Sequence, residues 1–184
     1  TGVGKTVYDE ENSVDCVGHF TNSAFTPTEV EWYKVAIPSM TQDFSTPLTL
    51  DDTTASMIEA NPEYFPATDD ASKAKVQSMV DSSIEYRHLS KNVTPYRGKF
   101  IYFKNQIALQ VFSYPAWGHT YTSILACDQN YTNHHYLTYY GDIDVYDGDT
   151  IAFISAPYSY SSFQNVGGGE TNIIAEIASI VVKS

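Results

Sequence analysis

Five histidines, His19, His88, His119, His134 and His135, supply the residue type most used for proton transfer and metal binding. None falls in a His-x-x-x-His or His-Glu-x-x-His pattern, so a zinc centre is not expected. His134 and His135 are adjacent and would face opposite sides of a strand. A hydrolytic triad can be assembled on paper from His119, Ser123 and an aspartate, but no Gly-x-Ser-x-Gly elbow presents the serine. Thr1-Gly2-Val3-Gly4-Lys5-Thr6 reads like the end of a phosphate-binding loop. No strand precedes it, and Asp9-Glu10-Glu11 follows where a helix is needed and would repel phosphate. The reading is therefore non-enzymatic, with no catalytic residue and no cofactor assigned. A hydrolase with an unrecognised site is one alternative.

Asp142, Asp144, Asp147 and Asp149 crowd together beside Gly148. A hard cation takes several oxygen ligands from one tight loop, which makes these four the Ca²⁺ candidates. Their spacing is out of register by one with an EF-hand loop, and the closing glutamate is missing. Ile143 and Val145 alternate with Asp142 and Asp144, which equally describes a strand with one wet face.

The richer signal is aromatic. From Tyr96 onward the chain carries 11 of its 15 tyrosines, together with Trp117. Two stretches read as Pro-bent loops: Tyr114-Pro115-Ala116-Trp117-Gly118-His119 and Ala156-Pro157-Tyr158-Ser159-Tyr160. Aromatic rings beside Asn, Gln and Asp can stack on the apolar faces of sugars while the polar groups bind hydroxyls, and Tyr and Trp also anchor protein interfaces. Trp117, His119, Tyr158, Tyr160 and Phe163 are the candidate ligand-binding residues, expected to form one contact surface. The bland alternative is that these rings plug the ends of the fold. Pro157-Tyr158-Ser159-Tyr160, with Phe163 and Asn165 after it, resembles the Pro-Tyr-aromatic loop of actinoporins, β-sandwich toxins that read choline lipids. The resemblance implies an aromatic cage for choline. It is confined to that loop, and no amphipathic N-terminal helix accompanies it.

Around these residues the pattern is mainly β. Residues 1–29 read as a polar N-terminal arm with one candidate strand at 14–20, and residues 30–184 as a single β-rich domain. Val30-Glu31-Trp32-Tyr33-Lys34-Val35-Ala36-Ile37 alternates as a half-buried strand stopped by Pro38. A helical insertion covers about 50–90. Its first helix spans 51–60 behind Thr49 and Asp52, and its second spans 71–89 behind Asp69 and Asp70, with Val76, Met79, Val80 and Ile84 at helical spacing. Strands are expected at 99–103 and 106–114 as a hairpin across Lys104-Asn105, and at 120–126. Two more, at 136–146 and 149–155, flank Asp147-Gly148, and a central apolar strand follows at 173–182. Seven or more short strands point to a β-sandwich or jelly roll.

A net charge of −12, with only ten Lys and Arg, argues against nucleic acid and anionic membranes. The acid is uneven: residues 1–95 hold 15 of the 22 carboxylates. No apolar run is long enough to span a membrane. Cys16 and Cys127 are either one long-loop disulfide or two thiols. Asn92-Val93-Thr94 and Asn130-Tyr131-Thr132 are glycosylation sequons. These features together describe an acidic, tyrosine-rich structural or attachment protein of a virion, phage tail or extracellular appendage. It would sit outside the cell or on the virion surface, contacting copies of itself or neighbouring subunits and a glycan or protein receptor. A secreted lectin or a membrane-binding toxin is the other alternative.

Overall fold

The computed structural model describes residues 28–116 and 118–184. The N-terminal arm up to residue 27, with its phosphate-loop fragment, candidate strand and Cys16, lies outside the described residues, as does Trp117.

The described chain begins with α1 (Glu29–Met40), where a strand was expected. Thr28 and Glu31 form a reciprocal capping box, with Thr28 N–H donating to Glu31 Oε2 at 2.9 Å. Val30, Tyr33 and Ile37, with Trp32 and Ala36, bury one face at helical spacing. The apolar residues fit both periods, and the cap decides between them. Pro38 sits in the last turn and does not stop the segment.

Two further helices start close to where the sequence places them. α2 (Asp52–Ala60) is capped by Asp51, whose Oδ1 accepts from the N–H groups of Thr53 and Thr54, rather than by Thr49. α3 (Asp70–Ser78) is capped by Asp69. The expected single helix over 71–89 breaks after Ser78 and resumes as α4 (Tyr86–Lys91). Asp81 Oδ1 accepts from Ser83 N–H at 3.1 Å and Ser83 Oγ at 2.6 Å, a local turn that competes with the helix. Val80 also bridges Phe100, tying the break to the sheet.

Five strands follow: β1 (Ile101–Ala116), β2 (His119–Cys127), β3 (His134–Tyr140), β4 (Thr150–Gln164) and β5 (Glu170–Lys183). They close into one barrel in the order β1-β2-β3-β5-β4, with β4 returning to β1. Only β3 and β5 run parallel. β4 beside β1, β2 and β3 is the Greek-key arrangement, with β5 inserted between β3 and β4. The mainly β class holds. Among the described residues a single closed sheet of five strands stands where two facing sheets of seven or more strands in all were expected.

The helix at α1 and the merging of two expected strands into β1 lower the count, and three local features reshape the strands. Asn105, at φ 55°, makes a bulge between Phe103 and Gln106, so β1 bends from β4 to β2 instead of folding into a hairpin. Asp147-Gly148 lies in a crossing loop laid on β1: Ala108 N–H donates to Asp149 O, and Gly148 N–H to Ala108 O. Pro157 sits at a bulge inside β4, so the expected loop at 156–160 is strand. The final strand is central as expected, paired on both sides.

Side chains alternate across the barrel wall. One face of β2, β3, β4 and β5, including Tyr121, Tyr158, Ala175 and Ile177, packs under α1 and α2. The other fills the barrel with Ala108, Ile124, Leu137, Ile151, Phe153 and Ala178. Trp32 of α1 meets Tyr121 and Tyr140 edge-on, each at 5.1 Å, so the outer faces of β2 and β3 are roofed by helix.

Candidate functional site

One end of the barrel carries an open groove of about 530 Å³. Its walls come from α4, the β2–β3 turn, β4 and the start of β5, which bring Tyr86, Tyr131, His134, Tyr160, Glu170 and Asn172 together.

The β2–β3 turn is held by one side chain. Asp128 Oδ1 accepts from the N–H groups of Asn130 and Thr132, both at 2.9 Å. Its Oδ2 accepts from Thr132 Oγ1 at 2.8 Å and Asn133 Nδ2 at 2.7 Å. Desolvation opposes ionisation of Asp128, but these hydrogen bonds outweigh it and hold the carboxyl below its ordinary range. The turn keeps Tyr131 and Asn133 at positive φ, 57° and 53°, where non-glycine residues are uncommon. Tyr131 is thereby set outward, 65% exposed. A strained aromatic on a braced turn is a pre-organised contact.

Tyr86 forms the floor. Its hydroxyl donates to His134 O at 3.2 Å, and burial pushes its pKa up. Burial also lowers the pKa of His134, only partly opposed by Asp128, so its ring is neutral at pH 7 and offers one donor and one acceptor. Tyr160, 42% exposed, reaches the groove because the bulge between Pro157 and Ser159 turns β4 over. Tyr158 belongs to the cluster under the helices, whereas Tyr160 lies opposite Ile174 on the side of Tyr86.

The candidate residues separate accordingly. Tyr160 lines the groove, and Tyr158 is fully buried. Phe163 packs on Phe44 at 5.8 Å beneath α1. The hydroxyl of Tyr140 and Nδ1 of His119 lie 2.5 Å apart at the β1–β2 hairpin. That hairpin is at the far end of β2 from the groove, roughly 27 Å by strand rise. His119, Tyr158, Tyr160 and Phe163 therefore do not form one surface. His119 and Ser123, four residues apart along β2, lie roughly 13 Å apart.

The aspartates brace the crossing loop. Asp142 accepts from Ser113 Oγ, Asp147 from Val111 N–H and Asp149 from Tyr146 N–H. Lys183 pairs with Asp149 at 3.1 Å and with Asp144 at 3.6 Å. The backbone hydrogen bond from Tyr146 and the Lys183 contact lower the pKa of Asp149. Among the described residues, no three His, Cys, Asp or Glu side chains converge to hold a metal. Among the described residues Cys127 has no disulfide partner, and it is a buried thiol whose pKa is raised by burial.

A polar node absent from the sequence reading lies inside the barrel. His135 Nδ1 is 2.7 Å from Glu176 Oε1, and Ser155 Oγ donates to Glu176 Oε2 at 2.5 Å. All three residues are 0% exposed, and Phe103, Phe153 and Tyr86 enclose the imidazole at 4.4–5.1 Å. The carboxylate, not the imidazole, holds the serine, so this is a different relay from a hydrolytic triad. His134 and His135 do face opposite sides of β3, one to the groove and one to the core.

Compared with known proteins, the chain matches no family model and no curated protein. Among the described residues no helix is long and apolar enough to cross a membrane.

Proposed function

We propose that the protein is a non-enzymatic attachment domain, working outside the cell or on a virion or appendage surface, that binds a glycan in the tyrosine groove. The observation that carries the reading is the braced turn holding Tyr131 outward beside Tyr160 and Tyr86. Rings of this kind stack on sugar faces, and His134, Asn133 and Asn172 supply neutral donors and acceptors for hydroxyls. The open, polar groove suits a rigid polyol better than a reacting substrate, which needs water excluded.

Five-stranded Greek-key barrels of the OB type bind oligosaccharides or oligonucleotides on the faces of strands 2 and 3 and adjoining loops. That analogy supports the location only in part, because α1 covers those faces here. The charge of −12 favours the saccharide over the polyanion. A second surface, the exposed pair Phe112 and Tyr114, tilted against each other at 5.9 Å along the β1–β2 hairpin, favours contact with neighbouring subunits.

The test is a glycan array probed with the protein, Tyr131→Ala and Tyr160→Ala, each checked by thermal melt. Truncating a central aromatic anchor is expected to weaken binding by about 2 kcal/mol with an unchanged melt. Binding that ignores both substitutions rejects the groove.

A further inference from the structure

Among the described residues lining the groove one carries a formal charge, and that charge is immobilised. Glu170 opens β5, and its Oε1 lies 2.8 Å from Ser45 Oγ and 2.9 Å from Ser162 Oγ. Ser45 belongs to the segment after α1, and Ser162 to β4, where Ser45 N–H also donates to Ser162 O at 2.9 Å. Three elements thus fix one carboxylate. The hydrogen bonds from Ser45 and then Ser162 hold its pKa below the ordinary range, so it is ionised at neutral pH. Oε1 is occupied, and among the described residues nothing hydrogen-bonds Oε2.

The rest of the wall is uncharged. Tyr86, Tyr131, Tyr160, Asn172 and Thr171 are neutral, and burial keeps His134 in its neutral form. No Lys or Arg is among the described residues lining the groove. A ligand carrying a carboxylate would meet Glu170 with no cation to offset the repulsion, in the field of a strongly acidic chain. A ligand with two adjacent hydroxyls finds the opposite: a fixed, charged acceptor for both protons, beside rings for its apolar face. Charge-assisted hydrogen bonds to a held carboxylate are the stronger kind.

We propose that Glu170 makes the groove specific for neutral glycans bearing a vicinal diol and excludes sialylated and uronic-acid glycans. The inference rests on the groove being the glycan site, and the experiment separates the two. Neutral, sialylated and uronic-acid glycans are presented to the protein, to Glu170→Gln, to Glu170→Asp and to Tyr131→Ala.

The protein is expected to bind neutral glycans in a Tyr131-dependent way. Glu170→Gln, which still accepts from both serines, is expected to lose roughly tenfold in neutral-glycan affinity. It also gains roughly fivefold on acidic glycans relative to neutral ones, the scale of one removed like charge at contact distance in water. Glu170→Asp keeps the charge but withdraws the oxygen, so it loses neutral binding while still rejecting acids. It also keeps the test decisive if Glu170→Gln melts early. Tyr131-dependent binding with a preference for acidic glycans overturns the specificity and leaves the glycan site standing. Unchanged selectivity in both Glu170 variants does the same. Absence of any Tyr131-dependent glycan binding overturns both.

Discussion

Replacing Glu176 with alanine removes the centre of the buried node. Glu176 receives both Ser155 Oγ and His135 Nδ1, at 2.5 and 2.7 Å, and neither partner has solvent access. His135 Nε2 is already without a hydrogen bond, so the imidazole would keep none. Leaving a buried polar group unsatisfied costs about 1–3 kcal/mol, and two are orphaned, while the vacated side chain leaves a void beside His135 and Ser155. The expected loss is about 3–5 kcal/mol, a large share of the roughly 5–15 kcal/mol that a domain of this size carries. Urea denaturation followed by circular dichroism reads the change in midpoint at constant slope. A combined Glu176→Leu, His135→Phe, Ser155→Ala variant removes all the polar atoms together and is expected to regain most of the loss, because the penalty lies in orphaning partners. A Glu176→Ala loss below about 1 kcal/mol, or a triple variant no better than the single one, would refute the reasoning.

Asp128→Ala removes four acceptor contacts from the β2–β3 turn and is expected to cost about 1–2 kcal/mol of stability. It should abolish groove binding and accelerate amide exchange at residues 130–133, read by hydrogen-exchange NMR. Burial raises the pKa of Tyr121 and Tyr136, each to about 12, and those of Tyr86, Tyr139 and Tyr158 upward from the ordinary phenol value. Buried phenols are neutral, so their stabilising share is complete below about pH 10, the unfolded value, and is lost as pH rises through the folded values near 12. Stability against pH should be flat near neutrality in this respect and fall from about pH 10. Ultraviolet titration should show Tyr121 and Tyr136 ionising well above pH 10, and ionisation of both at pH 10 in the folded protein would contradict the burial argument. Cys127 should resist a thiol reagent in the native state and react on unfolding; immediate reaction would contradict its burial.

Capping residues and the final strand were the most legible parts of the chain. Asp69 marks one helix start as read and Asp51 stands two residues past the expected Thr49, while residues 173–180 read as a strand because both faces are buried and, apart from Glu176 and Ser179, apolar. The segment of α1 reads as a strand because Val30, Trp32, Tyr33, Ala36 and Ile37 satisfy alternation and helical spacing alike. Asn105 and Pro157 signal turns and bulges with the same residue types, and only strand pairing decides between them. That ambiguity lengthened β1 and β4 and moved Tyr158 into the core while bringing Tyr160 to the groove. The rest of the site is assembled by topology. Tyr86, Tyr131 and Glu170 are distant in sequence and meet because β5 inserts beside β3. The Ser155–Glu176–His135 node was invisible for the same reason, since it requires the β3–β5 and β4–β5 registers.

A glycan held in the groove must touch the β2–β3 turn, β4 and the start of β5. Backbone amide chemical shifts, followed while a neutral glycan is titrated in, measure this residue by residue. Shifts are expected to concentrate at residues 128–134, 160 and 170–172 and to be lost in Tyr131→Ala. Shifts confined to the β1–β2 hairpin around Phe112 and Tyr114, or none at saturating glycan, would contradict binding in the groove.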